Sequence, residues 1–168
     1  MQQPAAEGTT YGFLTTVDSG SHGVFGGYLL VDVLGRPLEF HCTAPVKVSR
    51  AQQILYGPTL AGHLHGRQIG GALLAEAACQ PVVLLTDIEA MLQVRPHTPL
   101  PVALVRRCPD PASPPVAAAD ALTFAGVVVV PPAGTPALAT HLEALAAAVD
   151  LSEPFERIRA AIEEAQRH

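Results

Sequence analysis

Residues 81–105 read PVVLLTDIEAMLQVRPHTPLPVALV, and this order decides the fold class. Pro81–Leu85 is a short, wholly apolar run of the kind that makes a strand covered on both faces. Pro101–Val105 repeats it. Between them, Thr86-Asp87-Ile88-Glu89 has the spacing of a capping box and predicts a helix running through Gln93. A strand, a short helix and a strand within 25 residues form a minimal βαβ unit, which predicts parallel pairing.

The N-terminal side reads differently. Tyr11–Val17 is β-branched and aromatic, ends in the turn cluster Asp18-Ser19-Gly20-Ser21, and predicts a first strand. Val24–Leu34 and Leu38–Thr43 predict two more. Asp32-Val33-Leu34-Gly35 between them fits a type I turn closed by a left-handed glycine. Alternation along the third strand puts Leu38, Phe40 and Cys42 on one face and Glu39, His41 and Thr43 on the other. The partner strand is apolar on both faces, so cover is expected on both sides and Glu39 and His41 need polar partners.

Ser49-Arg50-Ala51-Gln52 is a capping-box pattern that starts a helix at Arg50, and Gly57-Pro58 ends it. Short helices are predicted from Thr59 to His65 and, after Gly66, from Arg67 to Ala78. Ile69, Leu73 and Leu74 form the buried stripe of the latter. Residues 106–120, RRCPDPASPPVAAAD, predict an exposed loop, and Leu122–Val130 predicts a strand. Helices are predicted over Pro136–Val149 and Glu153–Arg167, the last capped by Ser152 and carrying the stripe Phe155, Ile158, Ala161, Ile162, Ala165. The expectation is an α/β fold. A single mixed β-sheet would start with an antiparallel hairpin, continue in parallel βα units and carry helices on both faces. Residues 1–168 read as one globular domain, with a polar lead-in over 1–9, a Pro-rich loop over 108–120 and C-terminal helices over 136–167.

This order, from Val24 to Val105, resembles the cytidine-deaminase-like fold, in which a hairpin leads through a helix into parallel strands. The resemblance is one of topology and implies no deamination. No His/Cys-Ala-Glu opens the helix after the hairpin, and no Pro-Cys-x-x-Cys follows Leu85, so that family's zinc motif is missing. The segment LEFHCTAPVKVSRAQQILYGPTL, residues 38–60, also resembles conserved hypothetical proteins of bacteria with GC-rich genomes. That resemblance implies a bacterial origin and transfers no functional residue.

Composition narrows the function classes. Hydrophobic residues make up 49% and charged residues 15%, which is globular and leaves a surface poor in charge, as stable interfaces often are. Net charge is −5 and the pI about 5.7, so no basic nucleic-acid footprint exists. Arg outnumbers Lys nine to one and Asn is missing, as codon bias in a GC-rich genome produces. The cysteines, Cys42, Cys79 and Cys108, form no CxxC pair. The N-terminus has no signal-peptide pattern, and the longest apolar run, residues 125–133, is too short for a membrane span. A cytoplasmic location is expected, with no nucleic-acid or membrane partner.

The groups able to do chemistry concentrate between Gly26 and Gly70. Glu39 and His41 share a strand face at i and i+2, where a carboxylate can orient an imidazole as a general base needs; a structural polar pair, or a hydrogen-bonded His under a helix, is the favoured explanation. Asp87 lies at the carboxyl end of a predicted parallel strand, where open α/β sheets place ligand-binding groups, though helix capping also accounts for it. His63 and His65, with His41 and Cys42 upstream, are the nearest approach to a metal set, provided that their segment is extended rather than helical. Cys42 alternates with Leu38 and Phe40, which predicts a buried thiol rather than a nucleophile. Arg67 in the glycine-rich Gly66–Gly71, together with Arg50 and Tyr56, can bind a substrate, although close helix packing also explains the glycines. No catalytic set is complete and no cofactor is specified. The leading expectation is a cytoplasmic bacterial interaction or accessory protein with a protein partner or a homo-oligomeric state. The alternative is a small hydrolase or transferase acting on a polar small molecule at Glu39, His41 and Asp87, with metal assistance at His63 and His65.

Overall fold

The computed structural model describes residues 8–107 and 121–167; the lead-in through residue 7 and the Pro-rich loop 108–120, with Cys108, lie outside the described residues. One mixed sheet is built from β1 (Thr10–Asp18), β2 (Val24–Asp32), β3 (Pro37–Cys42), β4 (Val83–Thr86), β5 (Val102–Arg107), β6 (Leu122–Phe124) and β7 (Val127–Val130). The spatial order is β3-β2-β1-β4-β5-β7-β6. β1, β4 and β5 run parallel, and antiparallel pairs flank them on both sides. The β2–β3 turn forms as its sequence requires: Gly35 adopts φ 80°, and Asp32 Oδ1 accepts from the Leu34 and Arg36 amides at 2.9 Å.

Helices cover both faces. On one, the π-helical segment Gly62–Gly70, the helix α2 (Gly71–Glu76) and the 3-10 helix Glu89–His97 bury Leu64, Ile69, Leu73, Met91 and Val94 against Leu14, Tyr28, Leu30 and Leu84. On the other, α3 (Leu138–Ala146) and α4 (Glu153–Gln166) bury Leu142, Phe155, Ile158 and Ile162 against Tyr11, Phe13, Val31 and Leu85. Two adjacent glycines of β2 admit this double cover. A Cβ at Gly26 would overlap Ile69 of the π segment, and one at Gly27 would overlap Ile158 of α4. The first helix after the hairpin, α1 (Arg50–Tyr56), buries no residue on either face. No helix among the described residues is long and apolar enough to cross a membrane.

Several local expectations are corrected. Leu122–Val130 is two strands, because Gly126 turns the chain at φ 75°. Gly66 does not divide two helices; a Cβ there would sit 2.7 Å from Gln93 Cβ, so the glycine lets the π segment pack on the 3-10 helix. The capping box at Ser49 forms, with Oγ accepting from Gln52 N at 3.1 Å. The one at Thr86 does not: Thr86 Oγ1 accepts from Ile88 N at 3.1 Å, and the next helix is 3-10 and extends to His97. Ser152 does not cap α4, since its hydroxyl donates to Asp150 Oδ1 at 2.8 Å.

Candidate functional site

Alternation on β3 carries Glu39 and His41 to the face occupied by Tyr28 and Leu30, in register with them. There His41 Nε2 donates to Glu39 Oε2 at 2.6 Å. Glu39 is already engaged, because Oε2 also accepts from Ala78 N at 2.6 Å and Oε1 from Cys79 N at 3.3 Å. Burial alone would raise the Glu39 pKa, but the bonds from the Ala78 amide, His41 and the Cys79 amide outweigh it and hold the carboxyl below its ordinary range. The His41 ring stacks on Tyr28 with centroids 6.2 Å apart. This geometry fastens the exit of α2 to an edge strand. The Glu39 carboxylate has both oxygens committed, so it orients His41 while anchoring backbone.

Asp87 lies across the sheet from that pair. β1 turns toward β2 on one side while β4 leads to β5 on the other, so their carboxyl ends diverge, as at the ligand crevice of open α/β sheets. Thr15 Oγ1 donates to Asp87 Oδ1 at 2.6 Å, and Arg159 Nη2, from α4, donates to Asp87 Oδ2 and to Thr15 Oγ1 at 3.1 Å. A cleft of about 440 Å³ adjoins, lined by Arg106, Arg107 and Glu156 as well. Arg106 pairs with Glu89 at 2.7 Å and Arg107 with Glu156 at 3.2 Å. At the same edge on the opposite face, Thr16 Oγ1 and His65 Nδ1 share a hydrogen bond at 3.0 Å. Burial holds the His65 pKa below the usual imidazole value against an upward pull from Asp18.

His63 and His65 sit on the π segment and diverge. His63 stacks on Tyr56 at 4.4 Å, whereas His65 reaches Thr16. Among the described residues no group of three or more His, Cys, Asp or Glu side chains is placed to hold a metal ion. Arg67 is exposed and lines a cleft of about 570 Å³ with His63, Gln93, His97 and Glu89, the last paired with Arg106. Arg50 is exposed on α1 and donates to Gln53 Oε1 at 3.2 Å. Cys42 is exposed, contrary to the buried thiol that alternation predicts. It shares the outer face of β3 with Leu38 and Phe40, which are exposed too, because α4 packs over β1 and β2 and leaves this edge open.

Thr15 and Arg159 carry no motif, and only the fold brings them to Asp87. The α1 face was legible in another way. Residues 40–75 contain Lys47, Arg50 and Arg67 and no Asp or Glu, whereas the rest of the chain holds seven basic and fifteen acidic residues. No protein-family model matches this chain, and none of the curated proteins compared with it matches either.

Proposed function

We propose that this is an interaction or accessory protein that holds an acidic, apolar segment of a protein partner on α1 and the cleft beside it. The observation that carries this reading is α1 itself. Ile54 and Leu55 are 65% and 83% exposed, and no residue of the helix is buried. A helix of seven residues is marginal in water unless packing supports it, and here the Ser49 capping box is its main local support. Covering Ile54 and Leu55 would release roughly 3 kcal/mol of apolar burial. The same stretch, free of acid, carries Lys47, Arg50, His63 and Arg67, and His63 stacks on Tyr56 of the helix. That charge disfavours α1 packing on α1 of a second copy, where like charges would meet, and suits an acidic partner. Composition supports the bacterial cytoplasm as the setting.

The alternative, a small hydrolase or transferase, needs Glu39, His41 and Asp87 in one pocket. Glu39 is held by backbone amides, and Asp87 binds α4 on the other face of the sheet. The interaction reading therefore takes precedence. The test places photoreactive p-benzoylphenylalanine at Leu55, and at Gln166 as a control, in the full chain expressed in its own cells. The expected result is a crosslink specific to position 55, to a segment rich in Asp or Glu and apolar residues. An Arg50→Glu/Arg67→Glu background should lower its yield on the order of tenfold. Crosslinking of the chain to itself, or a captured segment indifferent to the charge reversal, would overturn the proposal.

A further inference from the structure

β3 is an edge strand, and among the described residues no strand pairs with its outer side. Its ladder to β2 decides which backbone groups are left over. Thr43 N donates to Gly26 O at 3.0 Å, and the register runs on through Cys42 with Gly27, His41 with Tyr28 and Phe40 with Leu29 to Glu39 with Leu30. Bonded and unbonded pairs alternate along an antiparallel ladder. His41 and Glu39 therefore bond to β2, while Phe40 and Cys42 turn their N–H and C=O groups outward.

The side chains of this edge are open as well. Leu38 and Phe40 are 54% and 40% exposed, and Leu34 in the preceding turn is 58% exposed. Sheet edges are commonly blunted by shortness, Lys, Pro or bulges. β6, at the opposite edge, has three residues. β3 has six and no Lys, and it keeps Pro37 and the bulge beside it at its first end. Glu39, the one carboxylate on the strand, is turned into its own fold by His41 and the Ala78 and Cys79 amides. Residues 39–42 are thus left free to pair.

We infer that β3 pairs antiparallel with β3 of a second copy, with the two-fold axis at Phe40, so that two seven-stranded sheets become one. An antiparallel edge is complementary to itself, as a two-fold interface requires. Charge selects the register. With Phe40 opposite Phe40 of the copy, Glu39 faces His41 of the copy and His41 faces its Glu39. Moving the axis by one residue sets Glu39 against Glu39 or His41 against His41, and like groups directly opposite each other are unfavourable. The helices leave room for this pairing. α4 lies over β2, where Ile158 and Ile162 meet Gly27. Three strand spacings then separate the two α4 helices by about 14 Å. That exceeds the roughly 8–10 Å of packed helices, and Leu38 and Phe40 of both copies fill the gap. This surface is distinct from α1 and does not rest on the reading given to that helix.

Sedimentation velocity of the full-length chain tests the pairing. The wild type should dimerise with a dissociation constant in about the micromolar range. Phe40→Glu, which sets two carboxylates face to face on the axis, should weaken association about tenfold or more, with an unchanged melting curve as the check on its fold. Disulfide trapping reads the register. A bonded pair has Cα atoms about 5.5 Å apart, within disulfide reach. Phe40→Cys in a Cys42→Ser/Cys79→Ser/Cys108→Ser background should therefore oxidise to a covalent dimer. Cys42 as the sole cysteine should not, since it faces Leu38 of the copy. A wild type that stays monomeric at about 100 μM, a dimer indifferent to Phe40→Glu, or a dimer that fails to trap at Phe40→Cys would each overturn the inference.

Discussion

Replacing Glu39 by alanine tests whether this carboxylate fastens the exit of α2 to β3. Its side chain is only 12% exposed and accepts from Ala78 N and His41 Nε2 at 2.6 Å and from Cys79 N at 3.3 Å. Hydrogen bonds to a charged group contribute about 1.5–3 kcal/mol each, but these three share one acceptor group and do not add. Ala78 and Cys79 are exposed, so their freed amides can turn to water. The net loss is then about 2 kcal/mol, which lowers Tm by about 4–8 °C for a chain of this length. Folding depresses the Glu39 pKa, so this stabilisation is complete above the ordinary carboxyl pKa of about 4.3 and disappears as pH falls through the lower folded value. Melting curves of wild type and Glu39→Ala, followed by circular dichroism from neutral to acidic pH, should lie apart at pH 7 and converge below about pH 4. Glu39→Gln should fall between them. An alanine variant that melts with the wild type at neutral pH, or a gap that persists in acid, would refute the role given to Glu39.

The other predictions concern packing and the polar network. Gly27→Ala should cost about 1–3 kcal/mol, because its Cβ overlaps Ile158; in an Ile158→Ala background the same change should cost less than half as much, and chemical denaturation of the four proteins measures this coupling. Asp87→Ala takes the acceptor from the fully buried Thr15 hydroxyl and the counter-charge from Arg159. Since Arg159 is partly exposed, the loss should be about 1 kcal/mol, or about 2–4 °C in Tm by calorimetry. A much larger drop would show that the network carries more than surface electrostatics allow.

The parts of the fold that local pattern encodes were legible. The apolar runs at 81–85 and 101–105 pair in parallel as β4 and β5, and the hairpin forms around Asp32 and Gly35. What escaped depends on distant pairing. Nothing in Thr10–Asp18 announces that β4 will lie beside it, yet that pairing makes β1 central and sets Thr15 next to Asp87. Period two assigned Glu39 and His41 to the correct strand face but could not reveal that two backbone amides some forty residues later would occupy the carboxylate. Thr86 and Ser152 show the same limit from the other side. Both have the residue type of a helix cap, and each hydroxyl is taken by a different local partner, the Ile88 amide and the Asp150 carboxylate.

Charge segregation gives the α1 face a physical role beyond exposure. At physiological ionic strength the Debye length is about 8 Å, so under the proposed reading a partner at α1 responds to nearby charge, Arg50 on the helix and Arg67 and Glu89 in the cleft, more than to the net charge of the chain. On α3 and α4, Glu143 and Glu163 are exposed, whereas Glu153 and Glu156 are paired with Arg157 and Arg107, so an acidic segment meets only modest repulsion there. In the proposed interaction, the basic residues of this stretch would draw an acidic segment and Ile54 and Leu55 would supply apolar burial. The sheet and its two helical layers need none of this, since α1 contributes no buried residue to either. An exposed helix that buries no residue and carries Ile54, Leu55 and Arg50 on a chain of net −5 is the ground on which the proposed recognition role rests.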